Sequence, residues 1–190
     1  KVRLEDLIRG IVIQSGNDAS VVVAEHIAGN EAAFASIMNQ YAVQLGMTGT
    51  NYANSTGLPD ENHFTTANDL ARLSIALISE FPEHYAIYKE RYFTYGAPGE
   101  EPKRQANRNR LLFRDITVDG VKTGHTNDGG YGLTASAIRG GRRLVAVLNG
   151  MPTKKARGRD AERLLDWGFR EFNNYALFEK GAKVSTAPVW

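Results

Sequence analysis

Lysine, threonine and glycine stand side by side at Lys122-Thr123-Gly124, inside a segment of strand-forming residues. An ammonium and a hydroxyl are both groups that bind a carboxylate. Because Gly124 has no Cβ, it leaves the face of the strand open to a ligand that approaches along the edge. The triplet therefore predicts a carboxylate pocket, although taken alone it also fits a strand end with a solvated lysine.

A second polar triplet, Ser15-Gly16-Asn17, lies far upstream at the junction of two predicted helices. Taken alone it fits a cap and turn, since serine, glycine and asparagine are favoured there for backbone reasons. The two triplets together form a more specific pattern, because one is on a helical part and the other is on a strand. Ser-x-Asn followed by Lys-Thr-Gly is typical of enzymes that use a serine nucleophile on amide bonds.

The elements that must carry these triplets begin with three predicted helices. Apolar residues recur at helical spacing from Leu4 to Val12, which predicts an amphipathic helix. Asp18 is expected to cap a second helix over 19–28. Asn30 is expected to cap a third helix that Gly46 stops.

A loop rich in glycine, asparagine and threonine is expected next, over 46–65. Thr66 and Asp69 resemble a capping box for a fourth helix, which should end before Pro82. A further short helix is expected over 85–89.

The second half of the chain has strand character. Gly140-Gly141 is a two-residue hairpin signal, and a polar loop with Pro98 and Pro102 separates the first strand from the rest. Helices followed by antiparallel strands and a closing helix predict the α+β class. Three strands after the polar loop are few for so many helices, so more of the sheet is expected outside this chain. The predicted strands are 91–95, 119–124, 131–139 and 142–149, and the closing helix is 158–172.

Composition excludes several classes of function. Hydrophobic residues make up 42% and charged residues 23%, as in an ordinary globular domain, and a net charge of +2 is too small to indicate nucleic-acid binding. Two basic clusters, 103–114 and 154–159, are interpreted as solvated surface. With no cysteine, disulfides, thiolate chemistry and sulfur-ligated zinc are excluded. We expect no metal and no cofactor, since the histidines lack ligand spacing.

With both triplets in place, the chain resembles the low-molecular-mass penicillin-binding proteins that act as D-alanyl-D-alanine carboxypeptidases, in the β-lactamase and transpeptidase superfamily. The similarity runs from about Leu4 to Phe172. It implies a β-lactamase/DD-peptidase-like fold, with a partial domain over 1–174 and the start of a truncated β-rich C-terminal domain over 175–190. The segments that carry the similarity are Ile13–Ala19, Leu45–Thr48, Asn54–Pro59, Thr65–Ala71, Asn107–Leu112 and Val118–Thr126.

The resemblance implies catalytic roles for Ser15, Asn17 and Lys122. Ser15 would pass a proton towards the leaving amine of the terminal D-alanine and back during deacylation. Because a serine hydroxyl keeps its proton at neutral pH, it needs a cationic neighbour, and Lys122 would be that neighbour. Asn17 would donate its amide to the acyl-side carbonyl of the substrate and orient the lysine that activates the nucleophile.

The same resemblance implies that the terminal carboxylate of the substrate is held by Lys122 and Thr123, with Arg108 as a second charge. Each such charge-assisted bond contributes roughly 1.5–3 kcal/mol. Gly124 would leave room for the substrate along the strand. His125 would line the pocket, although a histidine in a turn is an equally good interpretation.

One part of the family pattern is absent. The family's nucleophile is the serine of a Ser-x-x-Lys motif, and none of the eight serines of this chain has a lysine three residues on. We therefore expect a fragment of the enzyme, or one piece of a nicked enzyme. We also predict that this chain cannot be acylated by itself.

For the intact protein the resemblance implies removal of the terminal D-alanine from peptidoglycan stem peptides through an acyl-enzyme, with inhibition by β-lactams and no nucleic-acid partner. An extracytoplasmic, periplasmic location is expected, with membrane attachment only through a C-terminal segment not in this chain. The alternatives are a β-lactamase or DD-endopeptidase of the same superfamily, and a non-catalytic penicillin-recognising scaffold. A class A β-lactamase would need a deacylating glutamate between the triplets, and none from Glu61 to Glu101 has the expected setting.

Overall fold

Helices form the first half of the chain, and antiparallel strands with a closing helix form the second. The structure is a computed structural model, which describes residues 1–96, 99–179 and 181–186. This order confirms the predicted α+β class. The helices are α1 (Leu4–Arg9), α2 (Asn17–Ala28), α3 (Glu31–Gln44), α4 (Ala67–Glu80), α5 (Pro82–Tyr85), α6 (Leu111–Arg114) and α7 (Lys154–Glu171). The strands are β1 (Tyr92–Tyr95), β2 (Lys103–Ala106), β3 (Val118–Thr126), β4 (Gly130–Arg139) and β5 (Arg142–Met151).

The first predicted helix is present but changes its hydrogen bonding partway. After α1 the chain continues as a π-helical turn over Gly10–Gln14. The N–H of Gly16 donates to the carbonyl of Gly10 at 3.1 Å, and that of Ser15 donates to Ile11 at 3.0 Å. Wide turns of this kind are rare and are frequently found at functional sites. This one ends at the predicted catalytic serine.

The predicted cap at Asp18 is wrong. Helix α2 begins at Asn17, Gly16 stands before it in an extended conformation without a side-chain cap bond, and Asp18 lies in the first turn. The left-handed conformation of Ser15 reverses the chain early, so Asp18 is already helical. Its carboxylate still stabilises the helix, because negative charge is favourable near the exposed N–H groups of the first turn.

The caps of α3 and α4 are confirmed in part. Asn30 accepts a hydrogen bond from the N–H three residues on at 2.8 Å, and Thr66 accepts from the N–H of Asp69 at 3.1 Å. The capping box is only half formed, because the carboxylate of Asp69 turns to the preceding loop. There, buried, it accepts from Gly49 N at 2.8 Å and Thr50 Oγ1 at 2.7 Å, which orders the predicted loop against the helix.

Two elements between the helices and the sheet differ from the prediction. The short helix expected over 85–89 begins earlier, as α5, and continues as a 3₁₀ turn over Ala86–Lys89. The predicted strand over 91–95 is confirmed as β1, but β2 was missed in the polar segment after it. The two pair antiparallel, with Tyr92 opposite Ala106 and Arg104 over the Tyr92 ring at 3.6 Å. Lys-Arg-Gln-Ala has little strand propensity, so only pairing with β1 makes this segment a strand.

The predicted three-stranded unit is confirmed as an antiparallel sheet in the order β3-β4-β5. Gly140 and Gly141, at φ +56° and +75°, form the two-residue turn between β4 and β5. Positive φ at both turn residues matches the right-handed twist of the flanking strands.

The closing helix covers one face of this sheet. It begins at Lys154 and not at the predicted residue 158, because Thr153 caps it by accepting from the N–H of Ala156 at 3.0 Å. Ala161 and Leu165 lie at its buried face. They form one core with α6 and the sheet, so β3 is supported from behind. The buried members of this core are Leu111, Leu112, Val118, Leu133, Ala135, Ala137, Ala146, Ala161 and Leu165.

After α7 the described residues 172–179 and 181–186 form no helix or strand. Of the predicted loop and tail, Pro98, Lys180 and residues 187–190 lie outside the described residues, and the start of a second domain over 175–190 stays a prediction. Within the described ranges, no helix combines the length and the apolar character that crossing a membrane requires.

Candidate active site

Lys122 and Ser15 meet in the folded chain. The ammonium of Lys122, on β3, donates to the hydroxyl of Ser15, at the end of the π-helical turn, and to the carbonyl of Thr123 at 2.8 Å. The two residues are 107 positions apart in the sequence. The contact between them is the geometry that the two triplets predict.

Ser15 has an unusual backbone conformation. At φ 56° and ψ 49° it is left-handed, and it is the one non-glycine residue with positive φ in the described part of the chain. For such a residue this conformation costs on the order of 1–3 kcal/mol, and it persists only where the surroundings hold it. Hydrogen bonds of the π-helical turn hold Ser15, with its hydroxyl towards Lys122. Strain of this kind is typical of functional sites.

The environment of Lys122 changes its acidity. Its pKa is lowered from 10.5 to about 8, mainly because the ammonium is buried, and also because Arg108 and Arg157 bring positive charge near it. A lysine with this pKa is mostly charged at neutral pH but exchanges its proton more readily than an ordinary lysine. Next to the Ser15 hydroxyl it is suited both to hold an anion and to take part in proton transfer.

Arg108 reaches the site because its two neighbours are anchored. Asn107 and Asn109 are buried, whereas Arg108 between them is exposed. The Asn107 amide donates to the carbonyl of Glu90 at 2.9 Å, and the Asn109 amide donates to the carbonyl of Gly120 on β3 at 3.0 Å. The two asparagines therefore fix the segment on which Arg108 stands relative to β3.

Replacing Asn109 by alanine is expected to lower the free energy of unfolding by about 2–4 kcal/mol, because two buried backbone groups lose their partner. These groups are the carbonyl of Gly120 and the N–H of Leu111, which donates to Asn109 at 3.2 Å. Urea denaturation measures the loss. The matched control is Asn62→Ala, at an exposed loop position. A loss in Asn109→Ala no larger than in this control would contradict the anchoring role.

Thr123 and Gly124 of the Lys122-Thr123-Gly124 triplet lie with His125 at the open end of β3. Thr123 is only 8% exposed, whereas Gly124 and His125 are exposed. Apart from Gly124 and its two chain neighbours, the described part of the chain has no atom within 4 Å of the point where a Cβ on Gly124 would stand, so the strand face there is open, as predicted. The ring of His125 packs on Tyr131, its cross-strand neighbour, with ring centroids 4.0 Å apart.

Asn17 is placed less closely than the others. It is the first residue of α2 and is exposed, and among the described residues its side chain makes no hydrogen bond. The structure therefore puts Asn17 two residues after Ser15 without a hydrogen bond to Lys122. Its role in catalysis stays a prediction.

Arg157 is the site residue that sequence reasoning missed. It was interpreted as part of a solvated basic cluster, but it is only 7% exposed. Its guanidinium donates to the carbonyls of Gly124, Gly132 and Arg108 at 3.3–3.5 Å. A signal was present, because Arg157 continues the buried stripe of α7, four residues before Ala161.

A helical layer followed by an antiparallel sheet, with the Ser15–Lys122 contact between them, defines the class of penicillin-recognising serine peptidases. The family model described as D-alanyl-D-alanine carboxypeptidase matches residues 1–153, and the chain belongs to this family, peptidase S11. The resemblance inferred from the motifs is thus confirmed.

Individual proteins agree with this assignment. D-alanyl-D-alanine carboxypeptidase DacC of Escherichia coli K12 is 44% identical over 100% of this chain and 46% of its own length. Penicillin binding protein 5 from Haemophilus influenzae is 42% identical with a TM-score of 0.89, over 97% of this chain and 53% of that one. Penicillin-binding protein D2 from Listeria monocytogenes, solved in a cefotaxime-bound form, is 30% identical with a TM-score of 0.80, over 88% and 67%. This chain spans about half the length of the curated relatives it matches.

Proposed function

We propose that this chain forms the carboxylate-binding and proton-relay side of a serine-type D-Ala-D-Ala carboxypeptidase. The observation that carries the proposal is the contact between the Lys122 ammonium and the Ser15 hydroxyl, which joins the strand and the helical layer. The family to which the chain belongs and the names of its relatives support the choice of substrate.

The carboxylate of the terminal D-alanine would lie along the open face beside Gly124. Lys122 and Thr123 would hold it from the strand, and Arg108 from the segment beside it. These groups would bind a free carboxylate on the leaving side of the scissile amide bond.

In the proposed reaction a serine hydroxyl attacks the carbonyl between the two D-alanines, and its proton passes through the lysine of the Ser-x-x-Lys motif to Ser15. The C–N bond then breaks, and the terminal D-alanine leaves as its amine. Ser15 would hand a proton to that amine while Lys122 stabilises the developing charge, and Asn17 would bind the acyl-side carbonyl. Water then hydrolyses the acyl-enzyme, with Ser15 returning the proton. Since no serine of this sequence lies in a Ser-x-x-Lys motif, the attacking serine is proposed to come from residues other than these 190.

The decisive test uses the natural gene product, at whatever length its gene specifies. We expect release of D-alanine from diacetyl-Lys-D-Ala-D-Ala and only slow hydrolysis of nitrocefin. Fast nitrocefin turnover without D-alanine release would show a β-lactamase instead, and cleavage of cross-linked stem peptides in preference to the tripeptide would show an endopeptidase.

A binding module without catalysis is a second candidate, and the missing Ser-x-x-Lys motif favours it. The intact mass and N-terminal sequence of the natural protein separate the two candidates, because they establish whether a Ser-x-x-Lys serine is present. The contact between Ser15 and Lys122, with the charge of Arg108 near Lys122, supports the enzyme, since a scaffold needs no proton relay.

Two further properties are proposed for the natural protein. We infer that it binds β-lactams, as the cefotaxime-bound Listeria relative does. We infer an extracytoplasmic location, where peptidoglycan stem peptides are found, with membrane attachment through a C-terminal segment not in this chain. Labelling of the natural protein by penicillin in intact cells tests both.

The pH dependence of the reaction is expected to follow Lys122. Since its pKa is about 8, the lysine keeps its charge below that pH and loses it as the pH rises through it. The proposed roles need the charged form, so kcat/KM for diacetyl-Lys-D-Ala-D-Ala should fall above about pH 8. Initial rates measured between about pH 6 and about pH 10 check this. An increase of kcat/KM through pH 8 would mean that neutral Lys122 acts as a base.

A further inference from the structure

Arg157 holds an unusual set of partners for a buried cation. The guanidinium lies 3.4 Å from the carbonyl oxygen of Gly124, 3.5 Å from that of Gly132 and 3.3 Å from that of Arg108. It also lies 5.8 Å from the centroid of the Tyr131 ring. Three segments, β3, β4 and the segment of Arg108, therefore share one side chain from α7.

No carboxylate pairs with this charge in residues 1–96, 99–179 and 181–186. The ion pairs of α7 involve its other charged residues, such as Arg159 with Asp160 and Glu162 with Arg114. A buried charge without a counter-ion is costly unless dipoles or a ligand compensate it. Here three carbonyl dipoles compensate in part, and the remaining positive potential lies behind the open face at Gly124.

We propose that Arg157 is a positioning residue with two roles. It joins the ends of β3 and β4 to the Arg108 segment, and its positive charge behind Gly124 holds an anionic ligand beside Lys122. That the anion is a terminal carboxylate rests on the proposed function. The planar guanidinium suits this role because its five N–H donors reach several acceptors in fixed directions, which an ammonium cannot do.

The charge of Arg157 also acts on Lys122. The groups that face Lys122 are the Ser15 hydroxyl, the Thr123 carbonyl, and the guanidinium groups of Arg108 and Arg157, which help to lower its pKa. His125 lies three residues on along β3 and packs on Tyr131. If Arg157 loses its charge, Lys122 should therefore bind its proton more tightly.

The test compares three variants of the natural gene product: Arg157→Met, Arg157→Lys and the control Arg159→Met. Arg159 is exposed, two residues along the same helix, and pairs with Asp160. Titration of ¹³C-labelled lysine by NMR, with Lys122 assigned by its loss in Lys122→Met, needs no substrate. We expect the midpoint of Lys122 to move up from about 8 towards 10.5 in Arg157→Met and to stay in place in the control. If the midpoint of Lys122 were the same in Arg157→Met and in the control Arg159→Met, the proposal that the charge of Arg157 acts on Lys122 would be overturned.

Arg157→Lys tests the geometric part, because it keeps the charge but cannot reach three carbonyls. We expect the Lys122 midpoint to stay near that of the parent while kcat/KM for diacetyl-Lys-D-Ala-D-Ala falls roughly tenfold or more, mainly through KM. A merely structural arginine would lower the melting temperature and leave both kcat/KM and KM of the folded enzyme unchanged, which would overturn the proposal.

Failure of the inference and failure of the proposed function give different results. If Arg157→Met does not fold, the KM of Arg157→Lys tests whether Arg157 positions the ligand. If no form of the gene product releases D-alanine, the proposed function fails, and the Lys122 titration still decides whether the charge of Arg157 reaches the site.

Discussion

Replacing Lys122 by methionine is expected to lower kcat/KM for diacetyl-Lys-D-Ala-D-Ala at least about 10³-fold in the natural gene product. Two effects combine. Loss of the charge-assisted bond to the carboxylate accounts for roughly 10–100-fold, and loss of the cationic partner of Ser15 in proton transfer accounts for roughly 10²–10⁴-fold. Because one side chain has both roles, the two losses occur together and need not multiply fully. D-alanine release at substrate concentrations above and below KM measures the effect.

The matched control is Lys155→Met, which removes the same charge from the exposed first turn of α7. We expect it to keep kcat/KM within about twofold of the parent, since an exposed and solvent-screened charge interacts weakly with the site. If Lys122→Met kept even a tenth of the parental activity while remaining folded, Lys122 would not be the partner of Ser15 in the reaction.

The 190-residue chain by itself is expected to take up no covalent label from a fluorescent penicillin. Acylation requires a serine activated by a nearby base, and the Ser-x-x-Lys arrangement of the family is absent from the sequence. Ser15 is next to Lys122, but the charged ammonium donates to the Ser15 hydroxyl and has no lone pair with which to take its proton. Denaturing gels and intact mass after incubation measure the result.

The control is circular dichroism of the same sample. A spectrum with the helix and strand content described above shows that the unlabelled chain is folded. The natural gene product, incubated in parallel, is expected to carry one label per molecule. A label on the tryptic peptide that contains Ser15 in the 190-residue chain would contradict this prediction and would make Ser15 the nucleophile.

Much of the fold followed from local patterns. The α+β order, the caps at Asn30 and Thr66 and the Gly140-Gly141 turn were all predicted from short stretches, because each depends on neighbours in the sequence. Strand β2 was missed for the opposite reason. Its residues have no strand preference of their own, and only pairing with β1 makes them a strand. The wrong cap at Asp18 has a similar origin, since the start of α2 depends on the left-handed Ser15.

The two triplets determined, without any structure, what the chemistry could be. A serine, a lysine and an open glycine are readable as residue types, and their order was enough to indicate the family. Only the tertiary structure decided that Ser15 and Lys122 touch, because a contact between residues 107 positions apart depends on how the helical layer packs on the sheet. It also decided that Arg157 belongs to the site and that Lys122 has a pKa of about 8. The place of Arg157 in the site and the pKa of Lys122 both depend on burial and on nearby charges, which no single position of the sequence reveals.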